Sequence, residues 1–128
     1  MKRIAFITMI LMIPVLSFAQ SDDIPLDESL IIKLAKTASG GYLSKLDLKK
    51  ASTLEVNERE AVVISFEYIC DKEGYKVNIH NEGPQLNDQI LGHLNSLKIG
   101  TKVSFENIRV DNASGEVIAK PLYLTIKS

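Results

Sequence analysis

Residues 62–71 read Val-Val-Ile-Ser-Phe-Glu-Tyr-Ile-Cys-Asp, and the reading of the fold turns on this stretch. Val62, Ile64, Phe66, Tyr68 and Cys70 fall on one face of an extended chain, with Val63, Ser65, Glu67, Ile69 and Asp71 on the other. Strict alternation over ten residues predicts a strand with one core face and one mixed face. Asp71 to Gly74 supplies a turn, and Tyr75 to Ile79 returns as a second strand with Tyr75, Val77 and Ile79 in phase, so a hairpin is expected.

Toward the C-terminus, His80 to Pro84 reads as a loop. Leu86, Ile90, Leu94 and Leu97 form a stripe at helical spacing, which predicts a helix over about 87–98. Asn87 suits its N-cap, Asp88 its positive end, and Leu86 with Leu91 a hydrophobic staple. Gly100 is expected to close it as a left-handed cap. Gly92 weakens it by about 1 kcal/mol relative to Ala, a cost that points to close packing on a sheet. Beyond it, Val103 and Phe105 share a phase that Ile108 and Val110 break, the signature of a bulge near Glu106 and Asn107. Asp111 to Gly115 is a turn. A last strand runs from Val117 to Lys127, with Leu122, Leu124 and Ile126 on one face and Pro121 forcing an edge position or a bulge.

Toward the N-terminus, Asn57 to Glu60 is a charged turn and Thr53 to Val56 looks extended. Ser44 stands three residues before Asp47, a capping-box spacing for a short helix over about 44–51. Ser39, Gly40 and Gly41 break the chain. Leu30 to Ala35 leans to strand. Gln20 to Ser29 carries Asp22, Asp23, Asp27 and Glu28 and reads as an acidic flexible tether. Strands joined by short turns with one helix beside them argue for a mainly β (α+β) domain, an antiparallel sheet or β-sandwich.

The chain opens Met1-Lys2-Arg3, continues apolar from Ile4 to Leu16 apart from Thr8 and Pro14, and then reads Ser17, Phe18, Ala19, Gln20. A positive start, a short apolar run and small residues at −3 and −1 predict a secretory signal cut between Ala19 and Gln20. The apolar run is short of the roughly 20 residues that span a bilayer. The expected organisation is a cleaved signal over 1–19, the tether over 20–29 and a single domain over 30–128, periplasmic or secreted, with no cysteine directly after the cleavage site for lipid attachment. Cleavage removes Lys2 and Arg3 and no acid, leaving thirteen basic residues against sixteen acidic ones, a net charge of −3. Nucleic acid is therefore not expected as a partner. Cys70 is the only cysteine, so no internal disulfide is possible and packing alone must stabilise the domain.

No constellation of catalytic residues emerges, and neither cofactor nor metal is expected. His80 and His93 read as surface histidines, since only Glu82 stands near His80 as a further ligand. Cys70 beside Asp71, with His80 as a base, is a poor nucleophile because a neighbouring carboxylate raises a thiol pKa; a small buried hydrophobe is the better reading. Glu55, Glu58 and Glu60 read as a solvated turn rather than a cation site. Tyr75 and Tyr123 are candidates for a recognition surface, whereas Tyr68 belongs to the core.

The segments "AKTASGGYLSKLDLKKAS" at 35–52, "VVISFEYI" at 62–69, "GPQLNDQILGHLNSLKIGTKVSFENIRV" at 83–110 and "PLYLTIK" at 121–127 come in an order that resembles the C-terminal domain of GldM, a periplasmic protein of gliding motility and type IX secretion in Bacteroidetes. Leu97, Lys98, Gly100, Val103, Phe105, Glu106, Asn107 and Ile108 resemble that family's helix end, glycine and V-x-F-E-x-I strand. The resemblance covers about 35–127 and implies an immunoglobulin-related β module that meets envelope protein partners. It does not carry over the family's motor role, because the family's retained membrane helix and further periplasmic domains have no counterpart here. The expected function is a non-enzymatic periplasmic protein-interaction module. The alternative is a soluble carrier or inhibitor that binds a small ligand or peptide in an apolar pocket between helix and sheet, lined by Leu91, Leu94 and Phe105.

Overall fold

A computed structural model describes residues 24–72 and 74–127. The expected signal segment and its cleavage site at Ala19 and Gln20 lie outside these residues. The elements run β1 (Ile32–Leu34), β2 (Tyr42–Ser44), α1 (Lys45–Lys50), β3 (Leu54–Val56), β4 (Val62–Lys72), β5 (Tyr75–Glu82), α2 (Asp88–Ser96), β6 (Lys102–Asn112), β7 (Gly115–Ala119) and β8 (Leu122–Lys127). The fold is mainly β, of the α+β kind. Six strands form one sheet in the order β2-β8-β6-β4-β5, with β7 beside the second half of β6. All its pairs are antiparallel except β2 with β8. A small ribbon, β1 with β3, and the two helices make a second layer, and Leu30, Ile32, Leu48, Leu54, Ile90 and Leu94 from that layer share one core with Phe66, Tyr68, Phe105 and Leu124 of the sheet. The arrangement is sandwich-like: one sheet face is covered and the other meets solvent.

The decisive strand alternates as expected only from Phe66 onward. Phe66, Tyr68 and Cys70 are buried, but Val62 is 58% exposed and Ile64 is 36% exposed, while Val63 is buried in their place. A bulge causes the switch. Val63 pairs with Val110 and Ser65 with Arg109, so Ile64 is an extra residue on β4. The next pair, Glu67 with Glu106, returns the extra residue on β6, where Asn107 takes φ +50°. This second slip is the expected bulge at Glu106 and Asn107, and it lets Val103, Phe105, Ile108 and Val110 all face inward. Two adjacent bulges that cancel keep both long strands in register while turning their second halves.

Helix α1 forms where the capping box predicts it, with the Ser44 hydroxyl accepting from the amides of Leu46 and Asp47. The Lys45 ammonium reaches the carbonyls of Asn95 and Leu97 at 3.1 and 2.5 Å, a cation at the negative end of α2. In α2 the Asn87 side chain accepts from the Ile90 amide at 2.8 Å, as an N-cap should. The helix ends at Ser96, earlier than expected, with Leu97 as an extended C-cap. Gly100 is therefore not the helix cap. At φ +94° it holds the turn closed by the Thr101 amide on the Lys98 carbonyl, which feeds β6. Gly92 is also explained differently, because it is exposed and a Cβ there would meet nothing within 4 Å; close packing is not its reason.

The final strand is two strands. Lys120 and Pro121 separate β7 from β8 opposite Glu106 and Asn107, between the pairs Ile108–Ala119 and Phe105–Leu122, and Pro121 has no N–H to give a ladder there. The described part of the acidic stretch, expected to be a free tether, runs beside β7. Leu26 bridges Ile118, the Asp27 amide donates to the Ile118 carbonyl and the Ile118 amide to the Pro25 carbonyl. Hydrogen bonding to β7 holds this piece in place. Asn57 stitches it further, accepting from the Ile31 amide and donating to the Ser29 carbonyl.

Candidate functional site

The two edges of the sheet are treated differently by the chain. On one side the outer edges of β7 and β8 are occupied: residues 25–27 bond β7, while Gly40 donates to the Tyr123 carbonyl and β2 continues along β8. On the other side β5 pairs with β4 and, among the described residues, is the last strand. An open edge of eight residues presents a row of backbone donors and acceptors.

One hydrogen bond fixes which residues present it. The Gly83 amide donates to the Ile64 carbonyl at 2.6 Å. In an antiparallel pair, alternate residues direct both backbone groups at the partner strand or away from it. Asn81, Ile79, Val77 and Tyr75 share Gly83's parity and face β4, so Glu82, His80, Asn78 and Lys76 turn their N–H and C=O groups outward. The side chains of these four lie on the solvent face of the sheet and are all exposed. The His80 imidazole and the Glu82 carboxylate share a hydrogen bond there.

Asn81 pins the end of this edge. It is 1% exposed. Its Nδ2 donates to the carbonyls of Glu82 (3.2 Å), Gly83 (3.1 Å) and Gln85 (2.9 Å), and its Oδ1 accepts from the Asn87 amide at 2.8 Å. One side chain thus satisfies the turn that leaves β5 and starts α2. In the sequence Asn81 falls in the expected loop from His80 to Pro84, but β5 runs on through Glu82 and puts Asn81 on the inward phase of Tyr75, Val77 and Ile79.

The residues considered for chemistry do not converge. Cys70 is buried opposite Val77 on the inner face, whereas His80 stands opposite Glu67 on the outer face, so the sheet separates thiol from imidazole. The Cys70 thiol lies 3.9 Å from the Lys102 carbonyl. His93 is not a surface residue. It is half-buried, with Nδ1 2.7 Å from the Tyr68 hydroxyl and its ring edge-on to the tyrosine at 5.4 Å. Burial drives the Tyr68 phenol far above its ordinary range, and the neighbouring Cys70 thiol adds to the shift. Glu55, Glu58 and Glu60 are exposed, and among the described residues no group of three His, Cys, Asp or Glu side chains could hold a metal. Tyr75 and Tyr123 are exposed, as expected for a recognition surface, and Tyr68 is fully buried.

Leu94 and Phe105, expected to line a pocket between helix and sheet, are 0% exposed within the core. An apolar hollow of ≈ 350 Å³ lies elsewhere, at the break between β7 and β8, lined among others by Leu30, Ile31, Lys120, Pro121 and Tyr123. Among the described residues no helix is long and apolar enough to cross a membrane. No protein-family model matches the chain, and no curated protein matches it.

Proposed function

We propose that the exported chain is a non-enzymatic protein-interaction module of the cell envelope, and that it takes its partner by strand addition at β5. The open edge carries this reading: four consecutive outward-facing residues, Lys76, Asn78, His80 and Glu82, offer backbone donors and acceptors at the spacing of a strand. The secretory signature over 1–19 supports a periplasmic or secreted location, and the resemblance of 35–127 to the GldM C-terminal domain supports work beside a gliding or type IX secretion-like assembly. Carriage of a small ligand or peptide is the second reading. Its place is the ≈ 350 Å³ hollow at the β7–β8 break, since Leu94 and Phe105 are buried in the core.

Asn78→Pro tests the proposal. The substitution removes an outward N–H that has no ladder partner among the described residues, so the fold is expected to hold, with melting lowered by a few degrees. Expressed in the native cell, the tagged wild type should bring down a protein from the envelope fraction and the proline variant should not. Equal recovery by both would overturn strand addition at β5.

A further inference from the structure

Resting on that reading, we propose that the strand added to β5 is β5 of a second copy, in one register centred on Ile79, giving a symmetric dimer with a continuous sheet. The register follows from parity. Two antiparallel β5 strands related by a twofold axis normal to the sheet must place residues of like parity opposite each other, because outward-facing backbone groups must meet outward-facing ones. Two centres pair seven of the strand's eight residues, Asn78 and Ile79; His80 pairs five, as does Val77, which sets Lys76 opposite Asn78 and leaves Glu82 without a partner in the strand.

Side-chain charge separates them. Centred on Ile79, Lys76 stands opposite Glu82 of the second copy, twice by symmetry, and His80 stands opposite Asn78. Opposite charges directly across a ladder are favourable cross-strand pairs. Centred on Asn78, Lys76 faces His80 and Glu82 faces Gly74; centred on His80, the imidazoles face each other and Lys76 faces Pro84. Neither gives an ion pair.

The inner face agrees with the same centre. Tyr75, at 75% exposure the most exposed of the large hydrophobic side chains among the described residues, comes beside the turn at Gly83 that follows Glu82, where a Cβ would have met nothing within 4 Å. An aromatic ring over a glycine removes exposed apolar surface from both copies. Ile79 meets its own copy on the axis. The ladder amounts to about eight backbone hydrogen bonds, two for each outward pair. The His80 carbonyl already takes the Asn87 side chain at 3.4 Å and the Glu82 carbonyl the Asn81 side chain at 3.2 Å, and each keeps its second lone pair for the ladder.

Sedimentation of the purified exported chain at rising concentration, with melting temperature checked for each variant, tests the register. The wild type should double in mass. Glu82→Lys sets two like-charged pairs across the axis and should shift the monomer–dimer transition at least tenfold higher in concentration. Lys76→Glu combined with Glu82→Lys restores both pairs with their signs exchanged and should recover the dimer. A dimer indifferent to Glu82→Lys, or one that the double exchange does not recover, would overturn the register. A wild type that stays monomeric overturns the dimer. In that case, envelope capture that Asn78→Pro abolishes leaves strand addition standing with a different partner, and capture that it leaves unchanged removes both proposals.

Discussion

Replacing Asn81 by Asp keeps its shape and changes one thing: the Nδ2 donor that serves three carbonyls becomes an oxygen. In the native chain those carbonyls lie 2.9–3.2 Å away and the group is 1% exposed. Asn81→Ala simply removes four contacts. At about 1 kcal/mol net for each hydrogen bond, and with some partners able to turn to water, the loss comes to about 3 kcal/mol, or roughly 10–20 °C in melting temperature for a domain near a hundred residues. Asn81→Asp is worse at neutral pH, because it buries a carboxylate against carbonyl oxygens. Its folded pKa must then lie above its unfolded value, so the stability it retains is fully present below about pH 4 and falls as pH rises through the folded pKa. Thermal melting from pH 4 to pH 8 reads both effects. The Ala variant should be uniformly destabilised, and the Asp variant should lose stability relative to it as pH rises. A drop under about 3 °C for both, or an Asp variant that tracks Ala across pH, would refute the role given to Asn81.

Gly92→Ala should stabilise by about 0.5–1 kcal/mol, since the added methyl meets open space and the helix gains propensity; denaturant unfolding checks it, and a loss would mean the helix packs there after all. Ala35 and Lys36 take φ of +51° and +64° in the two-residue turn closed by Leu34 and Thr37, so Ala35→Asn with Lys36→Gly should add about 1 kcal/mol or more by the same assay. Burial raises the Tyr68 pKa above its unfolded value of about 10, so its stabilisation is intact below that pH and is lost as pH climbs beyond it; Tyr68→Phe should flatten the alkaline limb of melting temperature against pH. Mass spectrometry of the exported protein should find Gln20 at its N-terminus.

What the sequence showed depended on how local each signal was. The β4–β5 hairpin, the capped helices and the bulge at Asn107 each rest on a few neighbouring residues whose propensities act in place; at Pro121 an edge position or a bulge is expected, and the strand instead breaks in two. The bulge at Ile64 was invisible because the ten residues alternate without fault; its cause is the partner strand, whose own slip at Asn107 demands a matching one. The turn at Ala35 and Lys36 was missed for a similar reason. Neither residue favours positive φ, and the two backbone hydrogen bonds that close Leu34 on Thr37 impose it. His93 looked polar on the helix, yet packing brings it to the buried Tyr68 hydroxyl. The open edge was the least legible feature of all. Strand order decides which strand ends a sheet, and strand order comes from contacts far apart in the chain.

Strand addition requires that the β5 edge be occupied in the living cell. A photo-crosslinking residue in place of Asn78, whose backbone faces out of the sheet, reads that occupancy, with one in place of the exposed Ser114 in the β6–β7 turn as control. Strand addition predicts a discrete protein adduct at position 78 and none at position 114. No adduct at 78, or adducts of equal yield at both positions, would contradict it.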